Sequence, residues 1–175
     1  MEFSDVIKNR FAVRKFSDKE IEKEKLDAIL EAWRLAPTAK NKQPVKIYVI
    51  KSPDWLAKID KASRCRFWAN TVLLVCGDKE NAFIKWEHST FEMDSCIVAT
   101  HMMLEATNQW LWNIWIELFD ENIARSEFNI PDNLIPICLL PIGYKADDCP
   151  ENPSHILEKV SMRLLNTNNF WTKKE

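Results

Sequence analysis

The chain has 175 residues, of which 46% are hydrophobic and 29% charged, the balance of one globular domain with a substantial core and not of a disordered chain. A net charge of −2 excludes broad electrostatic attraction to nucleic acid, and the longest apolar stretches are cut by Asp94, His101 and Glu105, so none spans a bilayer. The start, Met1-Glu2-Phe3-Ser4-Asp5, has neither the basic opening nor the apolar run of a secretory signal.

Phe3, Val6 and Ile7 follow helical spacing and predict a short helix running into Arg10. Ser17 and Glu20 form a capping box with Phe16 and Ile21 at the staple positions. The helix expected from it carries Leu26, Ile29, Leu30 and Trp33 on one face and stops at Pro37. Val45 to Ile50 is β-rich. Ser52-Pro53 then opens a helix with Trp55, Leu56 and Ile59. Thr71 to Cys76 is a continuous apolar run ending at Gly77, the pattern of a buried strand.

From Phe91 to about Gln109 the residues are apolar nearly all round, which predicts a helix buried on several sides, in a core or an obligate interface. Leu111 to Phe119 alternates as a strand, with Trp112, Ile114, Ile116 and Leu118 on one face. Leu134 to Ile142 is another apolar run, in which Pro136 and Pro141 point to an edge strand or a bulge. Beyond Pro150 the tail holds one short helical pattern, Ile156, Leu157 and Val160, and ends in Phe170-Trp171 among polar residues. No linker or repeat divides the chain, so a single domain over 1–175 is expected.

Counting glycines excludes whole classes of nucleotide site. There are two, Gly77 and Gly143, each at the end of a strand-like run, so neither a dinucleotide-binding G-x-G-x-x-G loop nor a phosphate-binding P-loop can be built. Any nucleotide phosphate must be held by side chains or by helix N-termini of another kind. Five cysteines with no C-x-x-C spacing, three of them (Cys76, Cys96, Cys138) in apolar segments, are the usage of a reducing compartment, and the cytoplasm is expected. The three histidines have no partner spaced to share a metal, so no metal site is expected. The basic cluster Lys58, Lys61, Arg64 and Arg66 reads as a solvated face. Ser89, His88 and Asp94 show no nucleophile elbow, and Glu92 and Asp94 serve the start of the long helix.

Two arginines, Arg10 and Arg14, stand at i and i+4 where the first helix ends, and can present planar, permanently charged donors to one side. A phosphate needs such donors where glycine loops are missing. After the second helix, Pro37, Thr38, Ala39 and Asn41 make a loop of small residues and an amide, able to approach a flat ring.

Four blocks in this order carry a family resemblance: Arg10-Phe11-Ala12-Val13-Arg14-Lys15-Phe16; Ala36-Pro37-Thr38-Ala39-Lys40-Asn41-Lys42-Gln43-Pro44; Asp94 opening the long helix that leads to Trp115-Ile116; and Ile130-Pro131 followed by Gly143-Tyr144. Over about residues 3 to 145 the chain resembles the FMN-dependent nitroreductases. The resemblance implies an α+β fold, a three-layer sandwich with a mainly antiparallel sheet flanked by helices. It also implies an intertwined homodimer with two flavin sites at the subunit interface and the tail, about 150–175, packing on the partner.

By the family's pattern Arg10 holds the FMN phosphate, with Phe11 and Ala12 beside it, and Arg14 sits near the pyrimidine edge of the ring. Pro37, Thr38, Ala39 and Asn41 serve the flavin of the partner subunit, and backbone amides around Trp115, Ile116 and Glu117 meet its central nitrogen. The implied activity is ping-pong transfer of hydride from NADH or NADPH, through the flavin, to an electron-poor small-molecule acceptor such as a nitroaromatic or quinone. The cofactor carries that chemistry, so no catalytic side chain is expected.

Three departures stand against this pattern. Ala12 replaces a usual serine, and Trp110-Leu111-Trp112 replaces a usual glycine-leucine-glycine, either closing space near the flavin or filling the core. An acidic stretch, Asp147 to Glu151, stands where a second basic residue for the phosphate is usual, leaving His155, Lys159 or Arg163 as substitutes. A degenerate flavin-binding or structural dimer without turnover is the alternative, and an enzyme of the same fold with another outcome, such as dehydrogenation of a bound substrate or flavin cleavage, is a third.

Overall fold

A computed structural model describes residues 1–150. Its helices are α1 (Phe3–Asn9), α2 (Lys23–Leu35), α3 (Pro53–Ala62), α4 (Phe91–Asn108) and α5 (Glu121–Phe128). The strands are β1 (Val45–Ile50), β2 (Thr71–Asp78), β3 (Ile84–Lys85), β4 (His88–Ser89), β5 (Trp112–Asn113) and β6 (Leu134–Gly143). The main sheet runs β1-β2-β6-β5 with every pairing antiparallel, and β3 and β4 form a separate hairpin.

Strand alternation produces three layers. Along β2, Val72, Leu74 and Cys76 face one cluster with Leu56 and Ile59 of α3 and Phe128 of α5. Leu73 and Val75 face the other, with Leu26 and Ile29 of α2 and Val98, Ala99 and Met102 of α4. Both faces of β2 are covered, so its apolar run is unbroken where a half-exposed strand would alternate. Gly77 allows the first turn of α4 to approach the sheet. A Cβ there would stand 2.7 Å from the Phe91 ring and 3.2 Å from its carbonyl oxygen.

Several expectations are corrected. The Ser17/Glu20 capping box does not form: α2 begins at Lys23 with Glu22 at its N-cap, because the Ser17 N–H is drawn instead to the Tyr144 carbonyl at 2.8 Å. The strand expected over Leu111 to Phe119 shrinks to β5 plus a single bridge, Ile116 to Leu139. Proline is the reason. The Ile114 N–H donates to the Pro141 carbonyl, but Pro141 has no N–H to return, and the ladder is interrupted there. β6 is an interior strand, not an edge, and of the two expected roles for its prolines the bulge is the one realised, at Pro136 opposite Cys76.

Helix α5 was not anticipated; Asp120 caps it by accepting from the Ile123 N–H at 3.0 Å, and Asn129 ends it in the left-handed conformation, φ 49°. Helix α4 is buried on one side only: Met93, Cys96, Thr100 and His101 are exposed along a stripe at helical spacing. No helix among the described residues is long and apolar enough to cross a membrane. The tail pattern at Ile156, Leu157 and Val160 and the terminal Phe170-Trp171 lie outside the described residues.

Candidate functional site

The segment after α1 leaves the helix extended at Arg10 and makes two isolated bridges, at Ala12 and Phe16, with a bend at Arg14 between them. Val13 is fully buried, Phe11 and Ala12 are half-buried and both pack against its core cluster, and Arg10 and Arg14 flank them in sequence. The segment lies parallel to β5: Ala12 bridges to Asn113, and the Val13 N–H donates to the Asn113 carbonyl at 3.3 Å. Asn113, itself fully buried, donates from Nδ2 to the Met103 carbonyl at 3.0 Å and to Thr107 Oγ1 at 3.3 Å. The first block is thus fastened to the C-terminal half of α4. Arg10 is half-buried, and desolvation lowers its pKa from the ordinary arginine value; Arg14 is exposed.

Lys145, which the sequence reading passed over for the acidic stretch after it, joins this site. Phe16 bridges to Lys145, and the Lys145 ammonium lies 5.9 Å from the ring centroids of both Phe11 and Trp112. Only the pairing of the first block with the end of β6 brings it there, a long-range register that local pattern does not carry. Of the acidic residues, Asp148 pairs with Lys15, which holds the Asp148 carboxyl below its usual range. His155, Lys159 and Arg163 lie outside the described residues.

The second block stands at the other end of α4. The buried Asp94 accepts from the Ala39 N–H at 2.8 Å and from Thr90 Oγ1 at 2.9 Å. Its carboxylate therefore anchors the loop, a role beyond the service to the helix start expected of it. Within the loop Lys40, Asn41 and Gln43 adopt left-handed φ between 52° and 53°, and the Gln43 N–H donates to Thr38 Oγ1 at 3.0 Å. Pro37 and Asn41 are exposed, and Thr38 and Ala39 half-buried. From Asp94 to Thr107 a helix rises roughly 20 Å, at about 1.5 Å per residue. The first and second blocks therefore do not converge within one chain.

The third block begins beside the first and runs back along α4. The Ile116 N–H is committed to the Leu139 carbonyl at 3.0 Å, and Trp115 Nε1 donates to the Glu117 carboxylate at 2.9 Å. Among the described residues the Glu117 N–H has no hydrogen-bond acceptor. Trp110 does not fill the core. It is 64% exposed and left-handed at φ 60°, turning the chain out of α4. Trp112 packs on the core beside Phe11.

Comparison with known proteins bears on this arrangement. A profile described as Nitroreductase family matches residues 7–75. A nitroreductase family protein of Clostridium difficile 630 is 34% identical to this chain, and the alignment covers 97% of this chain and 100% of that one with a TM-score of 0.89. The chain belongs to the nitroreductase family.

A relative from Methanothermobacter thermautotrophicus, named provisionally as an NADH dehydrogenase/NAD(P)H nitroreductase, is 28% identical over 85% of this chain and 80% of its own length. A provisionally named nitroreductase of Exiguobacterium sibiricum, solved in complex with FMN, is 21% identical over 94% of each chain with a TM-score of 0.77, a likeness of fold. The antiparallel sheet with helices on both faces is the nitroreductase fold, as the resemblance implied.

Proposed function

We propose that this nitroreductase-family chain binds FMN at the interface of a homodimer and uses it to move hydride from NADH or NADPH to an electron-poor small-molecule acceptor. The observation that carries the reading is the separation of the blocks. Arg10, Ala12 and Arg14 belong to the segment fastened by Asn113 to the C-terminal half of α4, residues 37–43 stand at its far end, and the stretch 115–117 runs between them. A two-fold pair of chains brings the loop of one to the first block of the other, and the exposed stripe of α4 supplies a surface for that contact.

The donor set suits the cofactor. The half-buried Arg10 guanidinium and the Lys145 ammonium, which lies over the Phe11 ring of the same block, are cations able to give charge-assisted hydrogen bonds to a phosphate without any glycine loop. Arg14 is open to a ring edge that becomes anionic, and the unused Glu117 N–H is a backbone donor independent of side chain. When bound, FMN supplies the hydride chemistry; the protein positions it and excludes water. The donor class follows the name borne by the Methanothermobacter relative.

The visible spectrum of the purified protein tests the reading, with added FMN and then NADH or NADPH under anaerobic conditions. Flavin absorbance that either nucleotide bleaches is the expected result, and a protein that takes up no FMN overturns it.

A further inference from the structure

The loop joining α3 to β2 builds a second cleft that the flavin reading does not use. Its volume is about 420 Å³, and Asp60, Ser63, Arg64, Arg66, Phe67 and Trp68 line it. The loop is rigidly held. Arg66 forms a two-pronged pair with Asp60, at 2.7 and 2.6 Å, and donates to the Ala69 carbonyl at 2.7 Å. Ser63 Oγ donates to the Leu118 carbonyl at 2.8 Å and accepts from the Cys65 N–H at 3.1 Å.

These bonds occupy Asp60, Ser63 and Arg66, and they leave two side chains in the cleft uncommitted. Arg64 is exposed and makes no ion pair or hydrogen bond among the described residues. Trp68 is 69% exposed. Phe67 and Trp68 are both left-handed, φ 53° and 63°, a conformation unfavourable for residues with a Cβ, and it holds the indole outward where burial would be favourable. The other basic residues expected to make one solvated face with these are engaged: Lys58 donates to the Glu127 carbonyl and Lys61 to its carboxylate.

An unpaired planar guanidinium beside an open indole recognises a flat ring that carries an anionic group close by. The indole stacks on the ring, and the guanidinium fork takes two phosphate oxygens. The cleft flanks the first block, since the Phe16 N–H donates to the Phe67 carbonyl at 3.1 Å. We infer that Arg64 and Trp68 hold the phosphorylated adenosine of NADPH, with Arg64 reading the 2′-phosphate and Trp68 stacking on the adenine. The inference rests on the proposed function only for what the nicotinamide end does.

Calorimetric titration of the full chain with three probes tests it without any turnover: adenosine 2′,5′-bisphosphate, adenosine 3′,5′-bisphosphate and adenosine 5′-monophosphate. The 2′,5′-bisphosphate is expected to bind roughly 10- to 150-fold more tightly than the monophosphate, the range of one charge-assisted contact. Arg64→Gln should bring that ratio close to one, Arg64→Lys should restore part of it, and Trp68→Ala should weaken both nucleotides alike. Arg64 is exposed, so an unchanged melting temperature is expected and separates loss of contact from loss of fold. Equal binding of the 2′- and 3′-phosphorylated probes, no binding of either, or a ratio that Arg64→Gln leaves intact overturns the assignment. An FMN titration of the same samples stands apart from these outcomes: failure there removes the flavin reading and leaves the nucleotide cleft to be judged by its own probes.

Discussion

The Asp94 carboxylate, on the first turns of α4, receives the Ala39 N–H at 2.8 Å, and through this bond a buried acid sets the position of the loop 37–43. Removing it leaves the Ala39 and Thr90 donors without a buried acceptor. Asp94→Ala should cost roughly 1.5–3 kcal/mol of stability, the range for hydrogen bonds to charged groups. Asp94→Asn should cost less, because its amide oxygen can still accept from Ala39. Thermal melts give the stability, and hydrogen exchange at Ala39 shows whether the loop is released.

Trp110 occupies a left-handed position at the end of α4 that suits glycine, and its indole is mostly in water. The conformation costs a residue with a Cβ about 1–2 kcal/mol, whereas glycine gives back roughly 0.5–1 kcal/mol through the freer unfolded chain. Trp110→Gly should therefore stabilise the fold by up to about 1 kcal/mol in denaturant unfolding. A loss of stability would show that the indole contributes packing which its exposure hides.

Arg10 and Lys145 should act on flavin affinity and Arg14 on flavin potential. Loss of one charge-assisted bond weakens binding by roughly 10- to 150-fold, the effect expected of Arg10→Ala in a fluorescence titration with FMN. Lys145→Ala should weaken FMN in the same direction. Arg14→Ala should lower the midpoint potential, since the reduced anionic ring loses a neighbouring cation, with a smaller change in affinity for oxidised FMN. Parent-like affinity in both Arg10→Ala and Lys145→Ala would place the phosphate elsewhere.

Glu22 stands at the N-cap position of α2 without a side-chain capping bond and accepts the Tyr144 hydroxyl at 2.6 Å, which, with help from its own backbone N–H, Lys25 and Lys19, pulls its pKa down from 4.5 to about 2. A carboxyl depressed in the folded state contributes stability that is complete above its unfolded pKa and is lost as pH falls through the folded value. The loss belongs between about pH 5 and pH 2, and solvent screening keeps it small. Tyr144→Phe should flatten the fall of melting temperature across that window while changing little at pH 7. An unaltered acid limb would remove Glu22 from the account.

Cys96 lies on the exposed stripe of α4, whereas Cys76 and Cys138 are buried, with burial pushing the Cys76 thiol up to about 12 and the Cys138 thiol higher still. In the native protein a thiol reagent should leave Cys76 and Cys138 untouched. Cys96 should be slow in a dimer that covers the stripe and fast in a monomer. Ile97→Lys, on the same stripe, should shift sedimentation towards the monomer and speed Cys96 labelling together. Rapid Cys96 labelling of the parent would show that α4 is not the interface.

Local chemistry alone determined a good deal of this protein. The unbroken apolar run of β2, the all-round apolar character of α4, the proline stops and the absence of glycine loops follow from side-chain period and backbone freedom, which a single segment carries within itself. The candidate arginines were readable too, because charge and spacing are local. What the tertiary structure decided was which of two competing partners each group takes. Ser17 could cap a helix or pair with Tyr144, and the chain leaving β6 won. Pro141, with no N–H to return to Ile114, cut the strand that alternation predicts over Leu111 to Phe119. Lys145 reaches the first block, and Asp94 the Ala39 loop, across sequence separations that no window spans. The energy of those contacts exists only once the layers have packed, so the residues that meet were fixed by the fold and not by any stretch of sequence read alone.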